Sequence, residues 1–262
     1  MAETGLNWPL ARTTWLPVSR VTRLRLATLA GIVLFWEALS ASGLLFRGVV
    51  PSALIIASSV ADLLVAQNFW TNLSVTLFEI IVALAIGAVS GIAVGLAVGG
   101  SRFVGLAFEP YIRAFASIPK IILFPILLVI FGVGINSKIA VGAIAAFFPV
   151  ALSTAAGARD INPVFVRVGR SFGVSLAQMV WKVYLPSMVA PILSGLRVAL
   201  GVAIVVCLMG EIRYSNMGLG FMVMQSYRLA RFADMYAIII VIFVLAAIGN
   251  GVIERLSRNY KT

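Results

Sequence analysis

The side chains able to do chemistry in this chain fall into three groups. Glu37, Glu79 and Glu211 stand in otherwise apolar runs, where a charge is costly and is by default a candidate for function. Each is a candidate to line a polar pathway, with a structural ion pair as the alternative. Glu79 and Glu211 fall near the ends of their runs, where the cost is small. Arg213, Arg228 and Arg231 share one short polar segment, and guanidinium groups suit bidentate contact with an anion; a solvated loop is the plainer account of each. The third group is the polar break 160–197, which carries Asp160, Arg167, Arg170, Lys182 and Arg197 between longer apolar runs.

Several chemistries are excluded. The chain has no histidine and one cysteine, Cys207, so histidine base catalysis, histidine metal sites and an internal disulfide are all absent. No G-x-x-x-x-G-K-[ST] loop occurs, and Gly132-Val133-Gly134-Ile135-Asn136-Ser137-Lys138 has the wrong spacing for one. Neither a G-x-S-x-G elbow nor H-E-x-x-H is present. The sequence therefore offers no catalytic residue, no metal site and no cofactor site of its own, and an enzyme is not expected.

The elements that position these residues follow from composition. Apolar residues make up 61% of the 262-residue chain and charged residues 11%, where a soluble domain carries about 25% charge. Mean hydropathy is +1.08. Such a chain cannot cover its surface with polar groups, so lipid must be its main solvent. Six runs are apolar enough to span a bilayer: 26–45, 75–98, 121–133, 138–158, 189–209 and 235–253. The third is the weakest, with an earlier start within 111–118 as the alternative, and Pro119 and Pro125 will distort it, because each removes a backbone donor. A distorted helix within a membrane must be covered by protein or line a cavity, which makes Ser117, Pro119 and Pro125 pathway candidates. A short amphipathic helix is expected near 54–65. Gly87, Gly91, Gly95 and Gly99 are each four apart, placing them on one helix face where a neighbouring backbone can approach closely. The sequon at Asn72 is read as a chance match.

The net charge of +11 does not indicate nucleic acid, because the cations are spread between spans. With six spans, one side of the membrane holds the N-terminal tail, 99–120, 158–197 and the C-terminal tail, and so 15 of the 20 Lys and Arg residues. The positive-inside bias places that side, with both termini, in the cytoplasm. The other side holds Arg47, Lys138, Arg213, Arg228 and Arg231.

Within the break, Pro163 can start a helix, Gly173 interrupts it and Pro186 ends the next. Phe165, Val168 and Phe172, then Leu176, Met179, Val180 and Val183, recur at helical spacing, as in short amphipathic helices lying at a membrane surface. Such a helix either rests on lipid or docks in a groove of a soluble partner.

The break resembles the cytoplasmic loop of permease subunits of bacterial ABC importers, whose pattern is E-A-A-x-x-x-G, nine residues, then I-x-L-P. Gly173 matches the glycine, and Val183-Tyr184-Leu185-Pro186 falls at the matching distance. The opening departs from the pattern: the acidic position is Arg167, and the two alanines are Val168 and Gly169. Pro51-Ser52, Ser117-Ile118-Pro119, the Phe131–Lys138 run, Phe147-Phe148-Pro149-Val150, Gly195-Leu196-Arg197 and Gly218-Leu219-Gly220 resemble the nitrate/sulfonate/taurine-type branch.

The resemblance implies an all-α integral membrane protein with six transmembrane helices, the type I ABC importer permease fold, and cytoplasmic coupling helices. The permease domain would span 26–254, with tails at 1–25 and 255–262 and the coupling loop at about 160–187. Arg167, Arg170, Ser171, Phe172, Gly173, Leu176, Leu185 and Pro186 would engage the ATPase. The implied partners are a second permease subunit in a homodimer, two cytoplasmic ATPase subunits that bind the ATP and Mg, and a periplasmic substrate-binding protein. The expected location is the bacterial inner membrane. The implied cargo is a small anion such as sulfonate, taurine, nitrate or an aromatic carboxylate. An ion-gradient-driven secondary transporter is the alternative, and it predicts inverted repeats and coupling-ion carboxylates in broken helices. A non-transporting membrane scaffold is a further rival, with no need for prolines in the third span.

Overall fold

The computed structural model describes residues 18–44 and 48–258, and the described residues form helices and connecting turns with no strand. The chain divides into two compact units, Met1–Ile55 and Ile56–Thr262.

In the first unit, α1 (Val18–Ala41) presents apolar side chains such as Leu26, Leu29, Leu34 and Phe35 on its exposed surface. The sequence places this span at 26–45. The helix instead starts at Val18 and stops at Ala41, because Ser42 and Gly43, the latter at φ +66°, turn the chain. Arg23 and Arg25 are consequently part of the helix, whereas Arg12, Leu45 and Arg47 lie outside the described residues. The returning segment is tied to the last turns of α1: Trp36 Nε1 donates to the Pro51 carbonyl at 2.9 Å, and Ser40 Oγ to that of Val50 at 2.9 Å. Glu37 Oε1 accepts from Ala53 N at 2.6 Å, at the first residue of α2 (Ala53–Val65).

The second unit is built on α3 (Gln67–Gly100), α6 (Ile135–Arg159), α10 (Val189–Tyr214) and α12 (Phe232–Arg258), each long and apolar enough to cross a membrane. Between them lie α4 (Arg102–Ala116), α5 (Phe124–Phe131), α7 (Pro163–Ser171), α8 (Leu176–Met179), α9 (Leu185–Ser187) and α11 (Leu219–Arg228). With α1 there are five continuous candidate spans, and α4 with Lys120–Phe131 makes a sixth, bent by 86°. The sequence reads 100–120 as a polar-tinged segment and places the span at 121–133, with an earlier start within 111–118 as the alternative. The structure favours the earlier start and extends it: α4 from Arg102 is the first half of the bent candidate span, and Pro119 lies at the break.

The glycine stripe sets the tightest contact. A Cβ on Gly87 would lie 2.6 Å from Ala146 Cβ and 2.8 Å from the Ala143 carbonyl; one on Gly91 would lie 2.8 Å from the Phe147 carbonyl. On Gly95 it would lie 2.6 Å from the Ala151 carbonyl. α3 and α6 therefore run parallel with their backbones in near contact. α10 packs antiparallel to α6, with Gly142 against Cys207 and Gly157 against Pro191. Small residues admit this approach, and dispersion then holds helices that have no hydrophobic drive to leave lipid. The opposite face of α3, with Phe78, Ile81, Ile86 and Val89, stays exposed.

Candidate functional site

The C-terminal ends of α3 and α6 and the N-terminal end of α10 converge where the polar break sits. Asn162 caps α7, its side chain accepting from Val164 N at 2.9 Å, and Pro163 occupies the first turn, where no donor is needed. α7 ends at Gly173, whose φ of +65° favours glycine; Gly173 N donates to the Arg170 carbonyl and Val174 N to that of Gly169. Ser175 and Gln178 then form a reciprocal capping box that starts α8. The fold of this loop is thus specified locally.

Its surface is divided. Phe172, Leu176 and Trp181 are 81%, 87% and 72% exposed. Met179, read from the sequence as part of the same face, is buried against Gly169 instead: a Cβ there would lie 2.8 Å from Met179 Cε. Trp181 takes its place on the exposed surface, and only its size marked it in the sequence. Arg167, Arg170 and Ser171 are exposed, and neither arginine makes an ion pair among the described residues.

The sequence has Pro186 end the second helix, and this is corrected. A π-turn over Val180–Tyr184 precedes α9, and helical geometry passes through Leu185 and Pro186 to Ser187 before bending at Met188. The wider turn accommodates a proline that lacks the donor a regular helix would use. A groove of about 410 Å³ separates the last turns of α3 (Leu96, Ala97, Gly100) from Arg170, Leu176 and Tyr184 of the loop. Beside it Glu109 of α4 holds both Arg113, at 2.6 Å, and Arg159 at the end of α6.

In the middle of the unit, Ser117, Pro119 and Lys120 line a largely apolar cavity of about 610 Å³ with Phe148, Val202 and Met209. Ser117 and Pro119 are exposed in the single chain; Pro125 is exposed in the first turn of α5 and is not part of this lining. Lys120, assigned from the sequence to a cytoplasmic connection, is buried at the break of the bent span. Its ammonium donates to the carbonyls of Phe115 at 2.8 Å, Ala116 at 2.9 Å and Ile118, and sits 4.5 Å over the Phe148 ring. A single cation thus reinforces the broken helix end, where the Phe115 carbonyl also accepts from Ile118 N at 3.2 Å.

At the opposite end a buried polar network joins α3, α6, α10 and the Met217–Gly220 turn. Lys138 Nζ lies 2.9 Å from Glu79 Oε1 and donates to Ser215 Oγ at 2.7 Å. The Glu79–Lys138 contact is an ion pair rather than an aligned hydrogen bond, and Glu79 Oε2 has no hydrogen-bond partner among the described residues. Glu211 accepts from Thr76 Oγ1 and from Gly220 N, each at 2.6 Å. Thr76 Oγ1 accepts from Leu219 N at 2.8 Å, and Asn72 Oδ1 from Gly218 N at 2.7 Å. A Cβ on Gly218 (φ +102°) would overlap the Glu211 carboxyl group, so the glycines of this turn clear room for the carboxylate. Glu79, Glu211 and Lys138 are all buried, so the reading of Glu79 and Glu211 as cheap end-of-span charges does not hold. The expected pathway residues are thus not brought together: Glu37 caps α2, Ser117 and Pro119 line the middle cavity, Pro125 lies outside that lining, and Glu79 and Glu211 sit in the buried network. The sequence missed Thr76, Lys120, Lys138 and Ser215. Asn72, Thr76 and Glu79 share a helical face by their spacing, the one signal available for them. Lys138 gave none.

Residues 87–262 match the family model of the binding-protein-dependent transport system inner membrane component. The chain is 33% identical over 215 residues to the taurine transport system permease protein TauC of Escherichia coli (strain K12), covering 80% of this chain and 78% of that protein. It is 26% identical to the putative aliphatic sulfonates transport permease protein SsuC of Bacillus subtilis (strain 168), covering 87% of this chain and 83% of that one. The fold is similar to that in inward-facing structures of the MetNI methionine ABC transporter, with a TM-score of 0.63 at 22% identity over 76% of this chain and 97% of that one. These matches and the apolar helices agree on a multi-pass membrane protein, and the gradient-driven alternative is not favoured. The chain belongs to the family of inner membrane components of binding-protein-dependent transport systems, the permease subunits of ATP-driven importers.

Proposed function

We propose that this permease imports a small organic or inorganic anion and is driven through the 160–188 loop by two cytoplasmic ATPase subunits. The carrying observation is the exposed set Phe172, Leu176 and Trp181 on a loop that caps its own helices. A loop so determined does not need a partner to fold, so its exposed apolar surface is free to dock. Both termini and this loop lie in the cytoplasm, two copies of the chain form the pathway, and a periplasmic binding protein delivers the solute. ATP and Mg²⁺ are bound by the ATPases. The names of the relatives, for taurine and aliphatic sulfonates, support the anion class.

The mechanism follows from which parts are stiff. Closure of the ATPases moves the docked loops. The loop joins the ends of α6 and α10, and α6 is in backbone contact with α3. These helices move together, and the network at Glu79 and Glu211 carries the motion to their far ends. The bent span, fastened by Lys120, faces the middle cavity and is the segment left to open and close. Such coupling requires different loop contacts in the two states of the ATPases.

The test is co-purification of the permease with its ATPase, intact and as Leu176→Asp. Loss of the ATPase from a variant that still inserts and folds is the expected result. Equal retention would overturn the coupling role of the loop.

A further inference from the structure

The end of the second unit remote from the 160–188 loop carries cations that the mechanism above does not use. A cavity of about 610 Å³ is lined by Arg213, Tyr214, Asn216, Gln225 and Arg228, with no acidic residue in its wall. Arg213 and Arg228 form no ion pair among the described residues. Arg231, in the same polar segment, is matched instead: it lies 2.5 Å from Asp234. A second cavity of about 420 Å³ shares Val133, Tyr214, Ser215 and Asn216 with the first and reaches Lys138.

We propose that Arg213 and Arg228 form a receiving site for the transported anion at the outer mouth of the permease, a site for one compact oxyanion such as a sulfonate, carboxylate or nitrate group. This rests on the reading that the cargo is an anion and that this end faces outward. Two guanidinium groups without a carboxylate can each present a planar pair of donors to such a group. The hydroxyl of Tyr214 and the amides of Asn216 and Gln225 supply the further polar contacts that fix orientation.

The site is also rigidly mounted. Arg213 and Tyr214 end α10, two and three residues beyond the buried Glu211. Tyr214 stacks on Phe124 at the start of α5, with ring centroids 5.0 Å apart and planes 15° from parallel. Gln225 and Arg228 project from α11, whose start is pinned by Asn72, Thr76 and Glu211. The stacking contact places the site directly against the bent span, so an arriving anion meets the segment that opens the pathway.

The experiment uses the full complex of permease, ATPase and binding protein in proteoliposomes, with taurine, ethanesulfonate, nitrate and bicarbonate as probes. The intact complex is measured first, then R213Q/R228Q, R213K/R228K and, as a paired-arginine control, R231Q. The expected result is at least a tenfold loss of transport of the carried anion in R213Q/R228Q at saturating binding protein, the order of effect of one charge-assisted hydrogen bond. R213K/R228K recovers part of the loss, R231Q keeps the intact rate, and binding-protein affinity for the complex is unchanged. Unaltered transport in R213Q/R228Q overturns the site while leaving the anion reading standing. A loss explained wholly by weaker binding-protein affinity also overturns it, since the arginines would then hold a carboxylate of that protein. If the intact complex carries none of the four probes, the anion reading fails, and the site fails with it.

Discussion

Lys138 on α6 holds its ammonium 2.9 Å from a carboxylate oxygen of Glu79 on α3, with both side chains shut away from solvent. The pair joins the two helices that already touch along the glycine stripe, so one end of that contact is fastened by charge and the rest by shape. Removing one partner leaves a buried charge with no counterpart, which costs about 3–5 kcal/mol. Lys138→Met is therefore expected to lower the thermal midpoint of the detergent-solubilised permease sharply, and Glu79→Gln with Lys138→Met together much less than Lys138→Met alone. Thermal unfolding followed by tryptophan fluorescence distinguishes them; equal losses in the single and double variants would contradict the pairing.

The glycine stripe makes a separable prediction. At Gly95 even a methyl group would stand 2.6 Å from a backbone carbonyl and from Thr154 Cβ, so Gly95→Ala must push α3 and α6 apart, at a cost of about 1–3 kcal/mol. Gly251 in α12 has open space where a Cβ would go, and Gly251→Ala is expected to be neutral or to stabilise by up to about 1 kcal/mol. The monodisperse yield of the two variants on size exclusion is the check, with Gly95→Ala the poorer.

At Gly173 the requirement is conformational rather than spatial, because nothing lies within 4 Å of the position and φ is +65°. A β-branched residue pays the left-handed penalty in full, of order 1–2 kcal/mol, whereas asparagine visits this region more readily. Gly173→Val is expected to weaken ATPase association more than Gly173→Asn, with insertion unaffected in both. A pull-down titrated with ATPase reads the order, and the reverse order would exclude backbone geometry as the cause.

Topology can be read with single introduced cysteines, since Cys207 is fully buried and can stay in place. Ser171→Cys is expected to react with a membrane-impermeant maleimide only in inverted vesicles, and Asn216→Cys only in right-side-out vesicles. Labelling of both from the same side would refute the six-span arrangement with both ends of the spanning region in the cytoplasm.

How far these features were legible in the sequence follows from the range of the interactions involved. The spans at α6, α10 and α12 and the stripe at Gly87, Gly91, Gly95 and Gly99 are periodic, and period survives in one dimension. The start at Pro163 and the left-handed turn at Gly173 are local, and their residue types declare them, whereas the caps at Asn162 and Ser175 emerged only with the structure. The bent span was misread because the polar content of α4 disguised its membership of a span. Lys138 and Glu79, or Lys120 and the end of α4, meet only after folding. A lysine beside a span reads as a boundary marker whether it is solvated or buried, so its charge pointed to the wrong place.

Lys120 gives the sharpest functional prediction. Its ammonium is shared among three carbonyls, those of Phe115, Ala116 and Ile118, at the end of the first half of the bent span. The Phe115 carbonyl also accepts from Ile118 N at 3.2 Å, but the chain turns through 86° here, and in an apolar setting a carbonyl left short of donors is costly. Lys120→Met removes the donor and keeps the stem, so packing beside Phe148 survives while the bend loses its fastening. Arginine keeps the charge, but its planar fork cannot converge on three carbonyls as an ammonium does. Transport in proteoliposomes is expected to fall at least tenfold in Lys120→Met and less in Lys120→Arg, while ATPase association, which depends on the distant 160–188 loop, stays intact. ATP hydrolysis should then continue without matching uptake, because the drive is delivered to a span that no longer holds its shape. Retained coupling in Lys120→Met would show that the bend is fixed by Pro119 alone.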